Sequence, residues 1–125
     1  VEMAWEIEGL DFTLPAAADL SANQYFIVKV DSSGSAALAG DGQPAIGVLQ
    51  NEPDAAGKAA SIRFAGISKV VAGAAVSAGA QVAPNASGKA ITAATGKNIL
   101  GIALAAASGD GVIIPVALTY SGISA

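Results

Sequence analysis

The feature that most restricts how this chain can fold is an internal repeat. Sliding the sequence by 54 positions without a gap places Val28 on Val82, Ser33 on Ser87, Gly34 on Gly88, Ala36 on Ala90 and Ala39 on Ala93. Gly42 then meets Gly96, Gly47 meets Gly101 and Gly57 meets Gly111. Conservative matches fill the intervals: Asp31 with Asn85, Ile46 with Leu100, Val48 with Ile102, Ile62 with Val116, Phe64 with Leu118. In each copy an apolar segment runs into Asx-x-Ser-Gly (Asp31 to Gly34, Asn85 to Gly88), then a second turn, an Ile/Leu-Gly-Val/Ile strand, a loop and a further strand. Asp or Asn opening a turn and Gly closing it suits a type I turn, because the side-chain oxygen caps backbone N–H groups and Gly tolerates positive φ. Two copies of one β motif follow, at about 28–66 and 82–120.

Short strands recur between these turns: Phe12 to Leu14, Tyr25 to Val30, Ala45 to Gln50, Ser61 to Phe64, Ile67 to Val71, Gln81 to Ala83, Ala90 to Thr92, Ile99 to Leu104 and Val112 to Leu118. That spacing predicts an all-β fold, a small β-sandwich or β-barrel. Two Ala-rich patches, Asp54 to Ala60 and Ala103 to Ala107, are each expected to make at most a helical turn.

With 125 residues the chain has room for one core, which places a single β domain at 21–125 behind an N-terminal arm or first strand at 1–20. Hydrophobic residues make up 53% of the chain but aromatics only 5%, so Ala and Gly supply much of the interior and each buries little area. A thin core favours association, since binding neighbours stabilises the folded form by mass action. The first twenty residues differ in kind: Glu2, Glu6, Glu8, Asp11 and Asp19 appear with no basic residue, beside Trp5 and Phe12. An acidic segment with aromatic rings suits an arm laid across a partner, or a strand from Glu6 to Leu14 covering the domain's own core.

Charge narrows the partners. The net charge is −4, and the basic residues (Lys29, Lys58, Arg63, Lys69, Lys89, Lys97) are scattered singly, which argues against nucleic acid. The acidic start is unlike the basic opening of a secretory signal, and the uncharged stretches are broken by Gln81, Pro84, Asn85 and glycines, unlike a membrane span. Without cysteine there is neither a disulfide nor thiolate ligation of a metal.

Catalytic patterns are equally sparse. The chain has no histidine, the side chain most used for proton transfer near neutrality and the commonest zinc ligand. No Gly-x-Ser-x-Gly elbow occurs. Gly57-Lys58, Gly88-Lys89 and Gly96-Lys97 lack both the upstream glycine and the following Ser or Thr of a phosphate loop. Glu52 and Asp54 are too few for calcium and suit a solvated loop. Lys89 or Lys97 at a hairpin tip would suit a swinging-arm carrier, but the flanking residues are unlike the lipoyl and biotinyl signatures. The expectation is a non-enzymatic protein with no catalytic, cofactor or metal residues.

Several segments occur in a recognisable order: Gly47-Val48-Leu49, Ala65 to Val70, Val76 to Val82, Ser87-Gly88-Lys89-Ala90 and Leu100 to Leu104. Together they resemble the capsid cement, or head decoration, proteins of tailed bacteriophages. Ala80-Gln81 and Ser87 stand where those proteins usually carry Asp. The resemblance implies a structural virion protein that binds the outer surface of a phage capsid and stabilises the head. It also implies contacts with the major capsid protein and with copies of itself, as a homotrimer or dimer. On that reading the partner-binding residues are Trp5, Glu6, Glu8, Asp11 and Phe12. The alternative is a non-enzymatic β binding module of a phage tail, fibre or surface layer.

Overall fold

A computed structural model describes residues 7–125. Among them there is no helix, and the strands form one antiparallel sheet curled into a half-barrel. In chain order these are β1 (Ile7–Pro15), β2 (Ile27–Val30), β3 (Ala36–Leu38), β4 (Gly47–Leu49), β5 (Ala59–Val71), β6 (Gln81–Pro84), β7 (Ala90–Thr92), β8 (Gly101–Ala103) and β9 (Ile113–Leu118). The sheet runs β3-β2-β4-β5-β9-β8-β6-β7, with β1 added on β5.

The 54-residue repeat reappears in the pairing, residue for residue. Val28 faces Leu38, and Val82 faces Thr92. Ile27 faces Val48, and Gln81 faces Ile102. Val48 faces Arg63, and Ile102 faces Ala117. The turns agree as well. Asp31 Oδ1 accepts from the N–H groups of Ser33 and Ser35, at 3.0 and 2.8 Å, and Asn85 Oδ1 accepts from those of Ser87 and Lys89, at 2.9 and 3.0 Å. Gly34 and Gly88 close these turns at φ of 80° and 79°, a region that L side chains avoid.

Gly47 and Gly101 are fixed by a different demand. A Cβ at Gly47 would stand 2.3 Å from the Arg63 carbonyl oxygen, and one at Gly101 would stand 1.9 Å from that of Ala117. Each strand lies too close to its neighbour for any other residue.

The repeat also reaches beyond the segments that match in sequence. Leu14 faces Ala60 across β1 and β5, just as Val70 faces Ile114 across β5 and β9. The Ala16 N–H donates to the Lys58 carbonyl, and the Ala72 N–H to that of Val112, both at 2.8 Å. β1 is therefore the counterpart of the second half of β5, at an offset of 56 instead of 54. The two-residue change falls between Leu20 and Asn23, three steps apart where their counterparts Val76 and Ser77 are adjacent. One long strand thus ends the first unit and begins the second. Gly66, at φ 102°, bends β5 between the two halves.

The core divides the same way. Ala16, Leu20, Val28, Ala36, Leu49, Ala60 and Ile62 cluster in the first unit. Ala72, Val76, Val82, Ala90, Ala103, Ile114 and Val116, their counterparts, lie together in the second. The second cluster also takes in Ile27, Ala39 and Val48 from the first unit, which joins the two.

Some expectations change. Ser61 to Phe64 and Ile67 to Val71 belong to a single strand, because Gly66 makes a bend and not a chain reversal. β3 had no counterpart among the expected strands. The Ala-rich patches form no helical turn: Ala59, Ala60 and Ala103 are strand residues, and Asp54 to Lys58 make a tight turn instead.

Candidate interaction surface

β1 lies along one edge of β5, and the opposite edge of β5 carries β4 and then β9. Trp5 and Glu6 lie outside the described residues, and Glu8 lies on β1. Asp11 faces Arg63 across the sheet, and its carboxylate meets the guanidinium as a fork, Oδ1 to Nε at 2.9 Å and Oδ2 to Nη2 at 3.4 Å. Arg63 is almost fully buried, so this pair does much to fix β1 on β5. Arg63 also donates to the Ile67 carbonyl at 3.4 Å. Phe12 stands edge-on to Phe64, with ring centroids 5.3 Å apart and planes at 76°. Of the five residues expected to meet a partner, Asp11 and Phe12 thus hold intramolecular contacts, while Leu10 beside them is 61% exposed.

Phe12, Ile46 and Phe64 line one end of a shallow apolar hollow, and Ala45, Ile46, Phe64 and Tyr120 line the adjoining part, about 410 Å³ in volume. Tyr120 closes it, its hydroxyl donating to the Ile46 carbonyl at 3.3 Å. Burial pushes this phenol up to about 12, since the phenolate would lose hydration against the apolar wall. Tyr120 also holds φ at 48°, unusual for a side chain of its size. Neither Tyr120 nor Arg63 was singled out from the sequence. The available signal was an arginine inside an otherwise apolar strand, Ser61-Ile62-Arg63-Phe64, which demands an acidic partner.

The basic residues are all tethered apart from one another. Lys58 pairs with Asp54, Lys89 with Asp110 and Lys97 with Asp41, at 3.0, 2.9 and 2.8 Å. Lys29 donates to Gln43 at 2.9 Å, and Lys69 sits over the Tyr25 ring at 5.6 Å. Lys97 lays its stem against Gly42 in the other unit, so it serves as a strut between the units. Glu52 and Asp54 are both exposed on the loop after β4. No three acidic side chains come close enough to hold a metal ion among the described residues.

A curled antiparallel sheet made of two tandem units, with Leu10 exposed and Phe12 and Phe64 half-buried at its β1 end, defines the class as an all-β module. The chain belongs to the phage cement protein family, whose sequence pattern matches residues 6–118. The N base of the head fiber protein gp8.5 of bacteriophage phi29 shares the fold, with a TM-score of 0.75 at 15% identity over 93% of this chain and 98% of that one. No curated protein matches the sequence. The protein is a structural component of the phage head, associated with the capsid and located at its surface.

Proposed function

We propose that the chain cements the head without catalysing any reaction, by laying its β1 end on the major capsid protein and associating with further copies of itself as a trimer or dimer. Residues 1–20 serve as the arm in this reading, and 21–125 as the body that positions it. Trp5, Glu6, Glu8, Asp11 and Phe12 supply the contacts, with Leu10 beside them. The observation that carries the reading is β1 itself: an edge strand with Leu10 exposed and an apolar hollow at its flank, continuing from the acidic, aromatic start of the chain. The phi29 head fiber base is also a part of a phage head, which fits a module used for attachment there.

The test is co-sedimentation with undecorated heads. Deleting residues 1–6 leaves every β1 pair intact, so the truncated protein is expected to fold with an unchanged circular dichroism spectrum and to bind heads at least tenfold more weakly. Unchanged occupancy by the truncated protein would remove the arm from the interface.

A further inference from the structure

The contact between the two units is one-sided. The turn of the second unit, Asn85 to Lys89, sits on the edge of the first: the Ile27 N–H donates to the Gly88 carbonyl at 2.8 Å, and a Cβ on Gly88 would lie 3.5 Å from that of Leu38. Beside it the Gly42 N–H donates to the Pro84 carbonyl at 2.9 Å. Ile27, Ala39 and Gly42 are consequently buried, as are Ala83, Pro84 and Gly88 on the side that docks.

The same two faces recur in the other unit, the turn face open and the edge face covered only at Gly96. Val30 and Gly34 occupy the places of Pro84 and Gly88, and both are exposed, Val30 at 45%. Gln81 and Thr92 occupy the places of Ile27 and Leu38, and both are exposed too. The bond equivalent to that from Ile27 to Gly88, which would run from the Gln81 N–H to the Gly34 carbonyl, is not made within the chain among the described residues. At the Gly96 position Ser124 has stepped in: the Gly96 N–H donates to the Ser124 carbonyl at 2.9 Å where Gly42 donates to that of Pro84. Next to it Ile123 is 64% exposed.

We propose that the Val30 to Ser35 turn of one copy seats on the Gln81–Thr92 edge of a second copy, repeating between chains the contact that joins the two units within a chain. Val30, carried to the place Pro84 holds internally, would meet the Ile123 end, apolar surface against apolar surface. Polar Gln81 and Thr92, in place of Ile27 and Leu38, keep that edge soluble until it is covered. The two faces differ, so the contact is heterologous and every added copy leaves one face of each kind open. Such a contact closes into a ring or continues as a file. The inference deepens the self-association in the function proposed above and rests on it.

Because the chain has no cysteine, the test is clean. Ser33→Cys and Thr92→Cys chains, mixed under mild oxidation, are expected to give the mixed disulfide in at least tenfold excess over the Ser33→Cys homodimer. Adding Val30→Asp to the Ser33→Cys chain, or Ile123→Asp to the Thr92→Cys chain, should lower that yield at least tenfold with an unchanged melting temperature. Equal yields of mixed and homotypic disulfide, or a yield indifferent to both aspartates, would overturn the inference. Head binding of the Ser33→Cys and Thr92→Cys chains, without either aspartate, separates the two ideas. Head binding with no excess of the mixed disulfide sinks this contact alone, and the mixed disulfide with no head binding sinks the capsid assignment alone.

Discussion

In the first unit the core holds Leu49 and Ala60; in the second, the same two places hold Ala103 and Ile114. The large and small side chains have exchanged strands, so a similar volume is filled from opposite sides. Leu20 and Ile62 answer to Val76 and Val116 in the same way, each a close relative in size. Four pairs of glycines, by contrast, coincide: Gly34 and Gly88, Gly42 and Gly96, Gly47 and Gly101, and Gly57 and Gly111, whereas Gly66 and Gly79 answer to Tyr120 and Tyr25. The backbone path is set by places where no side chain fits, and the interior tolerates any apolar set of the right total volume.

The sharpest way to break this comparison is to add one methyl group. Gly101→Ala and Gly47→Ala should each cost about 3 kcal/mol or more, since the new Cβ meets backbone that cannot move aside. Urea unfolding of both variants would show it, and a neutral result at either site would dissolve their equivalence.

Exchange of the filling comes next. Leu49→Ala alone should cost about 2–3 kcal/mol, and Ala60→Ile alone about 1–3 kcal/mol by overpacking. Together they import the pair of the second unit, and the double variant is expected to be more stable than the sum of the singles by at least about 1 kcal/mol. Simple additivity would mean that these two positions do not share a space.

Ion pairing separates the units as well. Asp11 faces Arg63 in the first, whereas Ile67 faces Ala117 at the equivalent place in the second. Asp11→Ala should cost about 1–3 kcal/mol, because it removes the Asp11 carboxylate from the buried Arg63 guanidinium. Replacing both by the residues of the second unit, Asp11→Ile with Arg63→Ala, is expected to recover most of that loss.

The smallest effect is at high pH. Tyr120 holds its proton more tightly in the folded protein than in the unfolded chain, so its contribution is fully present below pH 10 and lost as pH rises toward 12. Denaturation midpoints should fall over that window, and Tyr120→Phe should flatten the fall.

Much of the fold was legible because turns obey local chemistry. Asx at the first place and Gly at the fourth announced both turns, and the 54-residue register recurs in the strand pairs of the two units. What stayed hidden has physical reasons. Ala36-Ala37-Leu38 carries no β-branched residue, so β3 was invisible while its counterpart Ala90-Ile91-Thr92 was not. Ala65-Gly66 has the composition of a turn, yet the strand continues through it. β1 shares no sequence with the second half of β5, and a loop shorter by two residues puts the two out of step. At the candidate surface, Asp11 and Phe12 stood out by charge and ring. Their partners Arg63 and Phe64 are more than fifty residues away, and only the register of β1 on β5 brings them together.

The shared strand has a thermodynamic consequence. β5 bonds to β1 and β4 through its first half and to β9 through its second, so neither unit can open without releasing ties that hold the other. A molecule built from two copies of one motif is therefore expected to melt as one body. A single heat-absorption peak with matching calorimetric and van't Hoff enthalpies would mark it, in place of the two steps its ancestry suggests.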